Sequence, residues 1–244
     1  MAFRRAFAAA RLEGEALTSA MVSIGMAFAG VGAKDSNIED TLLSAAEEAM
    51  DREDLRVLAV LTTWFGIHAP WVNADRLVGL VEAHGSRRVR ALFSALASWK
   101  QGDRRFARLV KVHEGPPVDL LGAGGAFHLR RHGEDPRFSG SALRVPGHVL
   151  RDRPADVLGP AELARRHRPY RLRVAMGPSY RADMWAAIEV DPALSAAELA
   201  RRAHGSFATA WHVRRDFLLV GTALASAAVG GARTSPRSSN GRTG

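Results

Sequence analysis

The sequence predicts a mostly α-helical protein: an N-terminal helical bundle, an irregular middle with room for one β-hairpin, and a C-terminal trihelical unit. Three observations predict it. Residues 36–110 carry capping residues at intervals, each followed by apolar residues at a 3.6-residue period. Residues 115–158 lose that period under closely spaced Gly and Pro. Residues 181–220 regain it in three short runs, whose openings are Ser179, Ser195 and Ser206.

In chain order, Ser36 and Glu39 have the spacing of a capping box. Asp54 to His68 is apolar on nearly every side, through Leu55, Val57, Leu58, Val60, Leu61, Trp64 and Phe65, as a central buried helix is, and Pro70 stops it. Asn73 caps a helix to His84, Gly85 supplies a stop, and Ser86 caps the next. In that next helix Val89, Leu92, Phe93, Leu96 and Trp99 fall on one stripe, with Arg87, Arg88 and Arg90 elsewhere on the cylinder. An antiparallel bundle over residues 1–114 follows.

In the middle, 115–158, only Ala126 to Arg131 and Ala142 to Leu150 read as short strands, enough for one hairpin. From 159 to 232 helices return: Pro160 and Glu162 open one that runs to about His167. Residues 233–244 have nothing to bury and are expected to be disordered.

Composition narrows the function classes. With 244 residues, 47% of them hydrophobic, the chain has enough for one core or two. It has no cysteine, which removes disulfides, thiolate metal sites and cysteine nucleophiles and points to a reducing cytoplasm. The N-terminal apolar run is broken by Arg11, Glu13 and Glu15 before a signal core develops. The charge-free stretches Leu17 to Ala33 and Phe217 to Ala232 are short, rich in Gly, Ala and Ser, and below the ~20 residues of a membrane span. The net charge of +9 is uneven: residues 1–50 hold four basic and seven acidic residues, residues 201–244 seven basic and one acidic. A basic C-terminal end is drawn to phosphate. All but three of the 34 basic residues are Arg and Ala is abundant, a bias that a GC-rich bacterial coding sequence produces by itself.

Function is concentrated in residues 181–220. Met184, Ala187 and Ile188 share the inner face of a first helix closed by Asp191-Pro192. Ser195 and Glu198 form a second capping box, opening a short helix with Leu199, Ala200 and Ala203 inward. Ser206 caps a third helix with Ala210, Val213 and Phe217 inward. Over these 40 residues the chain resembles the helix-turn-helix superfamily of DNA-binding domains, with Leu194, Ser195, Glu198, Leu199, Ala200, Ser206, Thr209, Ala210 and Val213 at the spacings of its common pattern. Ala200 and Ala210 are small where two helices cross, since a larger side chain would push the reading helix away. The pattern's turn glycine is His204 here, with Gly205 next, so the left-handed residue is either a tolerated His or is displaced by one place.

The resemblance implies that Phe207, Ala208, Trp211, His212 and Arg215 face the major groove, that Ser206, Thr209 and Arg214 lie near phosphates, and that Arg201 and Arg202 of the preceding helix also meet phosphate. The expected function is sequence-specific binding of double-stranded DNA, for transcriptional regulation, with the N-terminal bundle serving homodimerisation or a protein partner. A protein-binding module is the alternative, such as the antitoxin-like neutralising partner of an enzyme, autoregulating through the same motif; the aromatics Phe207 and Trp211 suit it.

No enzyme is expected. Gly122 to Gly125 lacks the lysine and helix of a phosphate loop, no Ser sits in a nucleophile elbow, and no catalytic residue, metal or cofactor is assigned. His128 and His132 are four apart near Glu134 and Asp135, a metal-ligand spacing only on a helix, whereas their segment reads as extended. Ala-His-Gly-Ser occurs at 83–86 and again at 203–206, but aligning the two turns puts Arg90 where Ala210 is buried, so the first is expected to be a plain helical hairpin. The doubled Ala-Glu-Leu-Ala-Arg-Arg, at 161–166 and 197–202, reads as shared helix-start chemistry.

Overall fold

The computed structural model describes residues 11–100 and 102–231, with side chains to residue 221. It is mostly helical. Helices α1 (Gly14–Ser23), α2 (Ile38–Arg52), α3 (Leu55–His68), α4 (Ala74–Ala83) and α5 (Arg87–Trp99) form the N-terminal half, and no described residue between 36 and 110 is in a strand. Asp54, Asn73 and Ser86 cap α3, α4 and α5 through their side chains. The stripe Val89, Leu92, Phe93 and Leu96 is fully buried, each such side chain contributing about 1.5–3 kcal/mol by leaving water. Trp64, at the centre of α3, is also fully buried and donates its indole N–H to the Ile24 carbonyl at 2.7 Å, pinning the end of α1.

Two expectations here need correction. The N-cap of α2 is Asn37, whose Oδ1 accepts from Asp40 N–H at 3.0 Å, not Ser36. Glu39 therefore forms no capping box. Its side chain is buried and bonded elsewhere.

The middle is irregular but holds no hairpin. Residues 126–131, read as a strand, lie in α6 (Gly125–His132), which starts after Gly124 turns the chain at φ +95°. Arg130, Arg131 and His132 sit in its last turn, where cations offset the helix dipole. The strands are β1 (Val118–Asp119) and β2 (Leu143–Arg144), and they pair in parallel, Val118 opposite Leu143. A parallel pair cannot be closed by a tight turn, so the chain between them becomes a crossover that contains α6.

Helices α7 (Pro160–Arg166) and α8 (Arg168–Met176) follow, and then α9 (Tyr180–Val190), α10 (Ala196–Arg202) and α11 (Phe207–Gly231). Leu163 of α7 and Tyr170 of α8 belong to the large core that α1 to α5 share with Phe106, Leu109, Leu120, Phe138, Leu143, Val145, Leu150 and Val157, although the sequence groups both helices with the C-terminal segment. Tyr170 is fully buried there, and its hydroxyl donates to His68 Nδ1 at 2.7 Å while His68 Nε2 donates to the Leu158 carbonyl at 3.0 Å. His167 is similarly spent: Nδ1 accepts from Tyr170 N–H at 3.1 Å and Nε2 donates to the Ser36 carbonyl at 2.9 Å. A second, smaller core lies among α9, α10 and α11: Met184, Ile188, Leu194, Leu199, Ala203, Ala210 and Val213, with Ala187, Ala200 and Phe217 packed on it. Each inward residue expected from spacing over 184–217 is in it. The expected disorder of residues 233–244 lies outside the described residues.

Candidate nucleic-acid interface

The unit α9–α10–α11 is assembled by short-range chemistry. Ser179 Oγ accepts from Ala182 N–H, and Ser195 and Glu198 form both halves of a capping box, at 3.2 Å and 3.0 Å. Ser206 Oγ accepts from Thr209 N–H at 3.1 Å and lies 2.8 Å from Thr209 Oγ1, so the two hydroxyls expected near phosphates also hold the start of α11.

The turn between α10 and α11 resolves the question left by His204-Gly205. His204 takes the left-handed conformation, φ +55°. Gly205 is favoured for a different reason: a Cβ there would stand 2.4 Å from the Met184 methyl, which would have to swing aside, and 3.1 Å from Tyr180 Cβ, which would have to give by a few tenths of an ångström. Gly205→Ala is therefore expected to cost about 1–3 kcal/mol by overpacking this seam, read as a lower urea midpoint. A change within error would mean that α9 is free to recede. The first Ala-His-Gly-Ser is different: His84 has φ −76°, and its Nδ1 accepts from Ser86 N–H at 3.1 Å. As expected, residues 83–86 join two helices of the bundle, α4 and α5.

Ala210 and Val213 are fully buried, which leaves the opposite side of α11 to solvent. Phe207, Ala208, Trp211, His212 and Arg215 are all exposed there, Phe207 by 52% and Trp211 by 50%. Arg214 is half-buried at the edge. The rings of Trp211 and His212 meet edge to face, 5.1 Å apart. Arg215 lies 5.6 Å above the Trp211 ring and donates to Asp216 Oδ1 at 2.8 Å. Asp216 also accepts from Arg181 at 2.9 Å, and these two arginines hold its carboxyl below the usual carboxylate range. Arg201 and Arg202 are exposed at the end of α10, Arg202 4.0 Å from Asp191. Compared with protein-family models, curated proteins and solved structures, the chain matches none.

What the sequence does not reveal is the anchorage of this unit. Arg173 of α8 is fully buried between two carboxylates. It donates to Asp183 of α9 through Nε (2.7 Å) and Nη2 (2.9 Å), to Glu39 of α2 through Nη1 (2.6 Å) and Nη2 (2.9 Å), and to the Trp71 carbonyl through Nη1 at 3.3 Å. All five guanidinium hydrogens are thereby used. Burial alone would lower the Arg173 pKa, but the two carboxylates outweigh it and hold the group charged. Burial would raise Glu39, yet Arg173 and the Asn73 N–H, 2.8 Å away, bring it below the usual range; for Asp183 burial prevails and the carboxyl is pushed up. Beside them Arg76 of α4 pairs with Asp40 of α2, and His204 Nε2 lies 3.7 Å from the Asp40 carboxylate. Burial lowers the His204 pKa to about 4, with the nearby Arg76 acting in the same direction. The turn between α10 and α11 thus abuts the buried charges of α2. One signal in the sequence marked this: Asp183 falls one turn before Ala187 on the inner side of α9, where an unpaired carboxylate would not be tolerated.

The histidine pair also needs correction. His128 and His132 lie on α6, one turn apart, with rings stacked at 6.1 Å, and His148 is 6.4 Å from His132. Among the described residues no group of three His, Cys, Asp or Glu is arranged to hold a metal. Among them, too, no helix is long and apolar enough to cross a membrane.

Proposed function

We propose that the protein binds double-stranded DNA in a sequence-specific way through a helix-turn-helix formed by α10, the turn at 203–206 and α11, and that it regulates transcription. One observation carries the reading. The face of α11 opposite Ala210 and Val213 is open, and it presents His212 and Arg215 where the resemblance puts base-reading side chains. The large core of α1 to α5 is then the platform for a second copy or a protein partner.

Energetics support release of Arg215 from Asp216. An exposed pair is worth about 0–1 kcal/mol, whereas a bidentate arginine–guanine contact discriminates by about 1–3 kcal/mol. DNA therefore competes successfully for the guanidinium. In a binding selection on randomised duplexes, Arg215→Ala is expected to relax one base position, and Arg201→Ala to weaken all sequences alike. Asp216→Asn, which removes a negative charge from the interface, is expected to strengthen binding a few-fold. Affinity for every variant should fall steeply with salt, since counterions leave the phosphates. Unchanged site preference in Arg215→Ala, or binding insensitive to salt, would remove α11 as the reader.

The alternative, a protein-binding surface, is favoured by the exposed aromatics Phe207 and Trp211, one turn apart, and by Leu219, 62% exposed two turns beyond Trp211. If the selection enriches no sequence, this reading replaces the first.

A further inference from the structure

Where the α1–α2 loop, α8, α9 and the end of α10 meet, the structure leaves an open-mouthed cavity of ≈ 260 Å³. Its inner wall is apolar, formed by Ile38, Ala186, Ala187 and Ala203, with the exposed Val190 at the rim. The volume lies just below the about 300–1,000 Å³ that hold drug-sized ligands, so it suits a compact molecule of one ring or a short chain. Two cations stand at its edge. Lys34 is exposed and enters no ion pair among the described residues, and Arg202 has Asp191 only at the 4.0 Å limit. The two acids of the lining are already engaged: Asp183 is bound by the fork of Arg173, and Asp35 accepts the Arg168 N–H at 3.0 Å. The N-terminal end of α2, with its partial positive charge, opens on the same space at Asn37 and Ile38.

An apolar body and a single negative head complement such a site. We propose that this cavity binds a small apolar carboxylic acid, its carboxylate held between Lys34 and Arg202 and its hydrocarbon part against Ile38, Ala187 and Val190. The site bridges the two cores. Ile38 belongs to the larger, Ala203 to the smaller, and Ala203 immediately precedes the left-handed His204 that sets the direction of α11. A bound acid fastens α2 to α10 and so fixes the stance of α11; the effect on DNA rests on the reading above, whereas the binding site does not.

The test uses the full chain without DNA. Cyclohexanecarboxylate and hexanoate are titrated by calorimetry and by thermal melting, against their primary amides as neutral controls. Saturable binding of the acids with a raised Tm, and at least tenfold weaker binding of the amides, is the expected result. Lys34→Glu, a change at an exposed position, should weaken the acids by tenfold or more, and Ala187→Leu, which fills the cavity, should abolish binding. Absence of saturable binding at millimolar acid, equal binding of acid and amide, or indifference to Lys34→Glu overturns the site. DNA affinity is measured on the same preparations. Acid binding without any DNA binding leaves the cavity standing and sinks the DNA reading, and the converse result does the reverse.

Discussion

Lowering the pH from 7 towards 4 is expected to remove about 6 kcal/mol of folding stability, enough to unfold a typical domain. His68 and His167 are the main cause, and the half-buried His204, whose pKa burial also lowers to about 4, acts in the same direction. His68 and His167 are fully buried, both donate one ring N–H to a backbone carbonyl and use the other ring nitrogen as an acceptor, and burial lowers each pKa to about 4. A neutral imidazole fits those partners; protonating the acceptor nitrogen would break a bond and leave a charge in the core. In the unfolded chain the same groups titrate near 6.5. Between about pH 6.5 and 4 the unfolded state therefore binds more protons, and stability falls as pH falls. Above 6.5 the full contribution is present, and below 4 these groups remove nothing more. His68 and His167 each contribute roughly 3 kcal/mol, from a shift of about 2.5 units at 1.36 kcal/mol per unit. Asp183, pushed up by burial, acts in the opposite sense. The measurement is the urea midpoint from pH 7.5 to 4. His68→Gln, which cannot take up a proton, should be less stable at neutral pH yet show a shallower decline. A midpoint flat across the range would refute the neutral buried histidines.

What could be read in advance was the chemistry that is local in sequence. Asn73, Ser86, Ser179, Ser195 and Ser206 cap helices because each cap is decided within four residues. The smaller core was legible for the same reason, as its residues repeat at helical spacing. Misreadings arose where partners are distant. Ser36 and Glu39 have the spacing of a capping box, but Glu39 is claimed by Arg173, 134 residues away, and Asn37 takes the cap. Ala126 to Arg131 alternates only weakly, and no strand is available to pair with it once β1 and β2 bond to each other in parallel. The two Ala-His-Gly-Ser turns show the limit clearly. His84 and His204 share the same neighbours, yet one is in an ordinary extended conformation and the other left-handed: Gly85 faces open space, whereas Gly205 packs where a side chain would meet Tyr180 and Met184 of α9. The outward face of α11 was legible as a face, while the Arg181–Asp216–Arg215 chain across it depends on α9 lying alongside.

Arg173→Met is expected to destabilise the protein by about 3–5 kcal/mol at neutral pH, the usual consequence of removing one member of a buried ion cluster. The hydrocarbon stem is retained and little volume is lost, so the cost lies in the charges. Glu39 keeps the Asn73 N–H at 2.8 Å, but both carboxylates lose their bidentate partner in a region where Arg76 and Asp40 already neutralise one another. With no cation between them, each carboxyl favours its protonated form, and the folded-state pKa values rise above those of the unfolded chain. The sign of the pH dependence then inverts for Glu39, and for Asp183, already pushed up by burial in the wild type, it is reinforced. Their burial is tolerated at low pH and becomes costly as pH rises through the raised values, so the deficit relative to wild type should be smaller at pH 5 than at pH 8. Arg173→Lys tests geometry separately from charge: an ammonium cannot bind two carboxylates in a planar fork, and it should recover only part of the loss. The triple change Arg173→Met, Glu39→Met, Asp183→Leu removes the cluster outright and should be more stable than Arg173→Met alone, since no charge is left stranded. Urea unfolding of the four proteins at both pH values decides the matter. If Arg173→Met costs under about 1 kcal/mol, or if its deficit does not grow from pH 5 to pH 8, then the anchorage of α9 to α2 is not electrostatic and rests on packing between α8 and α9.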